Sequence, residues 1–332
     1  MNNNTSSSII YPLESPEANV RFVVYLGSLI LGTFGGCTVL AAIITKQGNK
    51  TDNDIFLTNL AISDMLTIWV YVGVHFYLLS GHLYGKYFCL YFWPLMSVPL
   101  CASIFTITSM AVIRCRSILF MWTQMITQKT AKIWVLGLWI AAFIVLIPAL
   151  AVSKSAGRFC HLDWSTISQR RAYVFFIFTV EYLFPLVIVL CCYVGIGMSL
   201  KKLEGQVQRE NIQRENKDII KAIAAIVIVF AIFLMPLQVG MMMWEFGNTK
   251  AKKLVLTFMN YADILCIFHS CLNPFIYGIV PREFRNRYSK WITVVINKII
   301  NNCCRLSRYK FREQRNMGGN NVYLGTTDDI IL

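Results

Sequence analysis

Seven long apolar runs constrain this chain more than any other feature of its sequence. They cover 22–45, 55–79, 87–113, 133–153, 172–200, 222–244 and 254–280. Crossing the hydrocarbon core of a bilayer takes about 20 predominantly apolar residues in a helix, and each run meets that length. Three runs hold a single acid each, Asp64, Glu181 and Asp263, and the other four hold no Asp, Glu, Lys or Arg. Unbroken runs without period-two alternation read as helices rather than as strands of a membrane barrel. Only 14% of the 332 residues are charged, against about 25% in an ordinary soluble domain, so much of the chain cannot face water. The expected fold is an all-α membrane protein, a seven-transmembrane helix bundle.

The first run is too long for the apolar stretch of a signal peptide and has no small-x-small site at its end, so it is expected to stay in the chain. Orientation follows from Lys and Arg, which accumulate on the cytoplasmic side. With the amino terminus outside, 22 of the 31 fall inside, among them Lys46, Lys50, Arg114, Arg116, Lys201 and Lys202. The net charge of +14 is then mostly topological, and nucleic acid is not an expected partner. Residues 1–21 form an extracellular tail in which Asn3 and Asn4 both offer N-x-[ST] glycosylation acceptors. Residues 22–280 form the bundle, in the plasma membrane.

Past the last run, Trp291, Ile292, Val295 and Ile296 recur at helical spacing with basic residues between. Residues 281–297 therefore read as an amphipathic eighth helix on the inner leaflet, in contact with lipid. Cys303 and Cys304 follow beside Lys298 and Arg305, and are either palmitoylation sites or unmodified tail cysteines. Residues 298–332 form a cytoplasmic tail. Between runs five and six the tetrad Gln-Arg-Glu-Asn occurs twice within 208–216, as a charged helical extension compatible with a cytoplasmic partner.

A charge inside a bilayer is costly, so it faces the bundle interior and has a task. Asp64 closes Asn59-Leu60-Ala61-Ile62-Ser63-Asp64, near mid-depth of the second span. Asn273 precedes Pro274, which frees a backbone carbonyl and kinks the seventh helix. Should the second, third and seventh helices meet, Asp64, Ser103 and Asn273 form a polar cluster whose oxygens suit a small hard cation. Arg114 stands where the third span meets the cytosol, and plain topology explains it as well as function does. Cys89 and Cys160 are the two cysteines expected outside, where disulfides persist, and pairing them would tie the loop after the fourth span over the bundle mouth.

Taken together in this order, these motifs resemble the class A (rhodopsin-like) G-protein-coupled receptors over residues from about 20 to 295. The second-span motif resembles Asn-Leu-Ala-x-x-Asp, which implies that Asp64 is a sodium ligand with Ser103 and Asn273 beside it. Asn273, Pro274 and Tyr277 match Asn-Pro-x-x-Tyr. Cys89 lies 25 residues before Arg114, the family's spacing. Trp139, Pro148, Pro185, Tyr193 and Pro236 match the fourth, fifth and sixth spans. The resemblance implies a ligand bound outside, an outward swing of helix six, and a cleft for a heterotrimeric G protein. Arg114, Tyr193 and Tyr277 would meet in the active state. No cofactor is implied beyond an allosteric sodium ion.

Three departures stand out. Gly35-Gly36 replaces the usual Gly-Asn, Ile113-Arg114-Cys115 replaces Asp-Arg-Tyr, and Phe233-Leu234-Met235-Pro236 replaces Cys-Trp-x-Pro. Arg114 thus has no adjacent carboxylate to hold it, which implies raised basal activity or weakened coupling. The seventh span has no lysine for retinal, Ile267 standing at that position, and Met96 stands where amine receptors carry an aspartate. The amino-terminal tail is expected to be too short for a large hormone-binding domain. Met96, Glu181, Glu245 and Asp263 are the candidate ligand contacts; acids lining a low-dielectric cleft favour a cationic ligand such as a short peptide with an arginine near its end. Asp163 in the second outer loop joins them; alternatively Glu245 and Asp163 are solvated rim charges, and Glu181 and Asp263 a structural polar pair. A transporter would show paired halves. An enzyme would show clustered catalytic groups, and His75, His82, His161 and His269 show no metal spacing. No enzymatic activity is expected.

Overall fold

The computed structural model describes residues 16–46, 50–79, 85–119, 126–156, 159–203 and 210–279, together with Arg285, Ser289, Thr293, Val294 and Asn297. The chain divides into two units, Met1–Arg285 and Asn286–Leu332. Within the second, the four described residues are helical and Thr293 donates from Oγ1 to the Ser289 carbonyl at 2.9 Å. Asn3, Asn4, Cys303, Cys304 and most of the amphipathic eighth helix expected over 281–297 lie outside the described residues. So do the side chains of the charged repeat.

Seven helical spans make up the first unit. The first two are α1 (Pro16–Ile44) and α2 (Asp52–Leu79). The third is composite: a wide π turn at Phe88–Phe92, the short α3 (Trp93–Leu95), and α4 (Val98–Leu119). The fourth is α5 (Gln128–Val152). The fifth joins α6 (Ile167–Phe178) through a π turn at Thr179–Leu183 to α7 (Phe184–Leu203). The last two are α8 (Glu210–Phe246) and α9 (Thr249–Ile279). Six of the seven are apolar enough over an 18-residue window to cross a membrane. The start of α9 carries Lys250, Lys252 and Lys253, which dilute its hydropathy, yet at 31 residues it is long enough to span. Ile133, Leu136, Leu190, Val194, Ile228 and Ile232 point outward and exposed, an apolar belt suited to lipid and not to water.

Both π turns have one local cause. Each ends two residues before a proline, ahead of Trp93-Pro94 and Phe184-Pro185. Proline has no N–H to give the carbonyl four residues back. The amide ahead of it reaches one residue further instead, Trp93 to the Phe88 carbonyl and Phe184 to that of Thr179. Pro148, Pro236 and Pro274 lie inside α5, α8 and α9.

The third span packs on the second, fourth and fifth, and α9 packs on α1, α2 and α8. One core cluster joins Tyr25, Ile68, Tyr71 and Ile267. A second joins Leu100, Ile104, Phe230, Leu234 and Cys266, so Leu234 fills the sixth-span position where the resemblance places a tryptophan. Close approach of α1 depends on its glycines. A Cβ on Gly35 would stand 2.9 Å from Cβ of Pro274, and one on Gly36 would stand 2.5 Å from Cγ of Met65. Where the family has an asparagine reaching toward Asp64, this chain has tight backbone packing.

The sequence reading expected helices alone. After α5 the chain also forms a hairpin, β1 (Ser153–Ala156) antiparallel to β2 (Phe159–Leu162), with Lys154 opposite His161 and Ser155 opposite Cys160. Its four-residue strands are too short for a periodicity argument to find.

Candidate functional site

At one end of the bundle, Cys89 and Cys160 form a disulfide that ties β2 to the start of the third span. Ser153 adds a second tie, donating from Oγ to the Cys89 carbonyl at 2.6 Å. Beneath the hairpin lies a cavity of about 440 Å³. Of the four candidate ligand contacts, Met96, Glu181 and Asp263 line it and Glu245 does not. Its walls are mostly apolar, with Leu100, Ile177, Leu237 and Met241 facing a few polar groups. That mixture is typical of ligand pockets.

The acids at this end are held differently. Glu245 is buried and pairs across to α6, 2.9 Å from Arg170 Nη2 and 3.7 Å from Arg171 Nε. Asp163 is exposed and accepts from Lys154 Nζ at 2.6 Å, a contact that holds its carboxyl below the ordinary aspartate range. Asp263 lies 3.4 Å from His75 Nε2, and the His75 ring stacks 4.5 Å from that of Tyr25. Glu181 is 5% exposed and sits within the π turn before Pro185. It accepts from Gln238 Nε2 at 3.4 Å, with the Cys101 thiol as its other side-chain partner. Glu181 and Asp263 are therefore not paired to each other. Sequence alone carries no sign of the Arg170–Glu245 pairing, which joins residues on different spans.

At mid-depth, Asp64 is the centre of a buried junction. Ser103 donates from Oγ to Oδ1 at 2.7 Å and Asn273 from Nδ2 to Oδ2 at 2.8 Å. Three spans thus meet on one carboxylate. Asn273 Oδ1 is buried and without a partner among the described residues, as are both ring nitrogens of His269 one turn earlier. Among the described residues, no cluster of three or more His, Cys, Asp or Glu could hold a metal. One carboxylate with neutral oxygens around it fits a singly charged hard cation better than zinc or calcium. Asn59, from the same motif, joins two further spans: its Nδ2 donates to Thr106 Oγ1 at 2.7 Å and its Oδ1 accepts from Trp139 Nε1 at 2.8 Å.

At the far end, Arg114 has no carboxylate beside it in sequence, and Asp52 and Asp54 of α2 act on it through space without ion-pair contact among the described residues. Its electrostatic partners are Asp52, Tyr277 and Asp54. Asp54 is also engaged by Lys46 Nζ at 2.5 Å and by the Thr51 amide at 2.8 Å, which leaves Asp52 as the acid nearest to a dedicated partner. Tyr193 and Tyr277 are bonded away from Arg114. Tyr193 donates from Oη to the Ile220 carbonyl of α8 at 3.1 Å, and Tyr277 to Met110 Sδ at 3.4 Å. The three residues expected to converge are near one another but not joined. The single long α8, carrying Pro236, reaches both ends.

Residues 35–277 match the family model described as 7 transmembrane receptor (rhodopsin family). Neuropeptide FF receptor 2 of Mus musculus is 25% identical, over 84% of this chain and 74% of that protein. Type-1 angiotensin II receptor A of Xenopus laevis is 27% identical, over 83% and 80%. Galanin receptor type 1 of Rattus norvegicus is 24% identical, over 82% of each.

Proposed function

The chain belongs to the rhodopsin family of seven-transmembrane receptors, and from that footing we propose that it binds a short cationic peptide outside the cell and drives nucleotide exchange on a heterotrimeric G protein inside. It is a multi-pass membrane receptor and not an enzyme. The observation that carries the ligand reading is the cavity under the disulfide-tied hairpin, with Glu181 and Asp263 in its lining. Acids in low-dielectric walls attract cations. The space admits the end of a peptide and not a folded protein. Relatives named for neuropeptide FF, angiotensin II and galanin support a ligand of the peptide class.

In this reading the amino terminus is extracellular and the protein resides in the plasma membrane, which agrees with the inward bias of Lys and Arg. Asp64, Ser103 and Asn273 would hold a sodium ion, whose charge would favour the resting packing of the three spans. Ligand contact moves helix six outward at the Arg114 end. That motion must break the bond from Tyr193 to Ile220 and frees Tyr193 to turn toward Arg114. The test is nucleotide exchange on G proteins in membranes holding the chain, screened against a library of short peptides with Asp263→Asn as control. Peptide-dependent exchange is expected; exchange by no peptide with any G-protein class defeats the reading.

A further inference from the structure

The four acids at the ligand end are not equivalent, and their pairing sorts them. Asp163 has Lys154, Glu245 has Arg170 and Arg171, and Asp263 has His75. Glu181 is the one with no cation beside it among the described residues. Its side-chain partners are neutral, the Gln238 amide at a long 3.4 Å and the Cys101 thiol. A buried carboxylate without a counter-charge is expensive to keep.

A second group points the same way. Gln238 is 1% exposed and lines the cavity, and its Oε1 has no partner among the described residues. Gln238 has already turned its donor toward Glu181, so its acceptor is what remains. The deep part of the cavity thus presents a carboxylate and an amide oxygen together. Both accept hydrogen bonds; among the described residues the carboxylate has no counter-charge and the amide oxygen has no donor.

We infer that Glu181 and Gln238 form the receiving site for a guanidinium group, the arginine side chain of the ligand. Guanidinium offers five N–H donors in a planar fork and no acceptor, so one edge can face the carboxylate while a further N–H meets Gln238 Oε1. An ammonium is less suited. It is compact and strongly hydrated, and Leu100, Leu237 and Met241 cannot replace its water. The arginine stem would lie along that apolar wall, and Tyr71, Trp93 and Tyr173 give flat faces for the head group to pass. The assignment rests on the peptide-receptor reading only in taking this cavity as the ligand's, and it narrows the ligand from cationic to arginine-bearing.

The probes are acetyl-arginine amide, its lysine counterpart and its citrulline counterpart, which keeps the shape and loses the charge. Binding to the full chain in lipid nanodiscs is measured by saturation-transfer NMR. The arginine probe should bind roughly 10- to 100-fold tighter than the citrulline probe, the span expected of charge-assisted hydrogen bonds. The lysine probe should fall between. Glu181→Gln should erase the preference and Gln238→Leu should reduce it, while Asp163→Asn leaves it unchanged. Equal binding of arginine and citrulline by the unaltered chain, no binding of either, or a preference that survives Glu181→Gln overturns the assignment. The unaltered chain alone decides it if the variants fail to fold. The exchange assay with whole peptides uses none of these probes, so the broader reading stands or falls apart from this one.

Discussion

Asn273 donates to Asp64 at 2.8 Å across 209 residues of sequence, and Ser103 shares the same carboxylate. Asp64→Ala would strand both donors, at about 1–3 kcal/mol each. Asp64→Asn should be milder, because the Asn273 amide can turn its free Oδ1 toward the new side chain. The purified chain should melt higher in sodium chloride than in choline chloride. That difference should vanish in Asp64→Asn, and a sodium effect that persists there would remove the ion from this site.

The acids that act on Arg114 through space, Asp52 and Asp54, belong to the second span, so the resting state should depend on α2. Asp52→Asn is expected to raise ligand-free nucleotide exchange, because Asp54 is already shared with Lys46. Ile113→Asp places an acid next to Arg114 in sequence and should lower it. If basal exchange does not fall in Ile113→Asp, raised basal activity is not a property of this chain.

Asn59 satisfies Trp139 and Thr106 with opposite ends of one amide. Asn59→Leu removes both bonds and leaves the indole N–H without its partner. A loss of about 1–3 kcal/mol in detergent melts is expected from the stranded donor alone. Trp139→Phe removes the other half of one bond, so the double variant should cost less than the two single losses added.

Gly35 and Gly36 both meet neighbours closer than a Cβ allows, but the neighbours differ. Pro274 is a ring fixed to the backbone, whereas Met65 is unbranched and can change rotamer. Gly35→Ala should therefore destabilise more than Gly36→Ala, by about 1–3 kcal/mol for the former. Thermal melts in one detergent give the order directly.

The sequence disclosed the spans and the mid-depth junction for the same reason. A lone acid within an apolar run has few places to go, and Asp64 had to find polar partners on other helices. It disclosed less where meaning depends on which helices stand side by side. Glu245 reads as a ligand contact until Arg170 and Arg171 arrive beside it from the fifth span. Arg114 reads as lacking an acid until α2 brings Asp52 within electrostatic reach. The π turns at Phe88–Phe92 and Thr179–Leu183 were marked by Pro94 and Pro185, but proline in a helix also predicts a simple kink, and sequence does not choose between them.

The fifth and sixth spans are riveted at several heights. At the ligand end is the ion pair of Glu245 with Arg170 and Arg171, at the Arg114 end the single neutral bond from Tyr193 to the Ile220 carbonyl, and between them Gln238 donates to Glu181 and Tyr182 to the Ala231 carbonyl. Charge-assisted contacts hold by about 1.5–3 kcal/mol and neutral ones by about 0.5–1.5. A rod fastened this unevenly behaves as a lever: the weaker fastening slips first, the stronger serves as fulcrum, and the travel appears at the end where Arg114 stands.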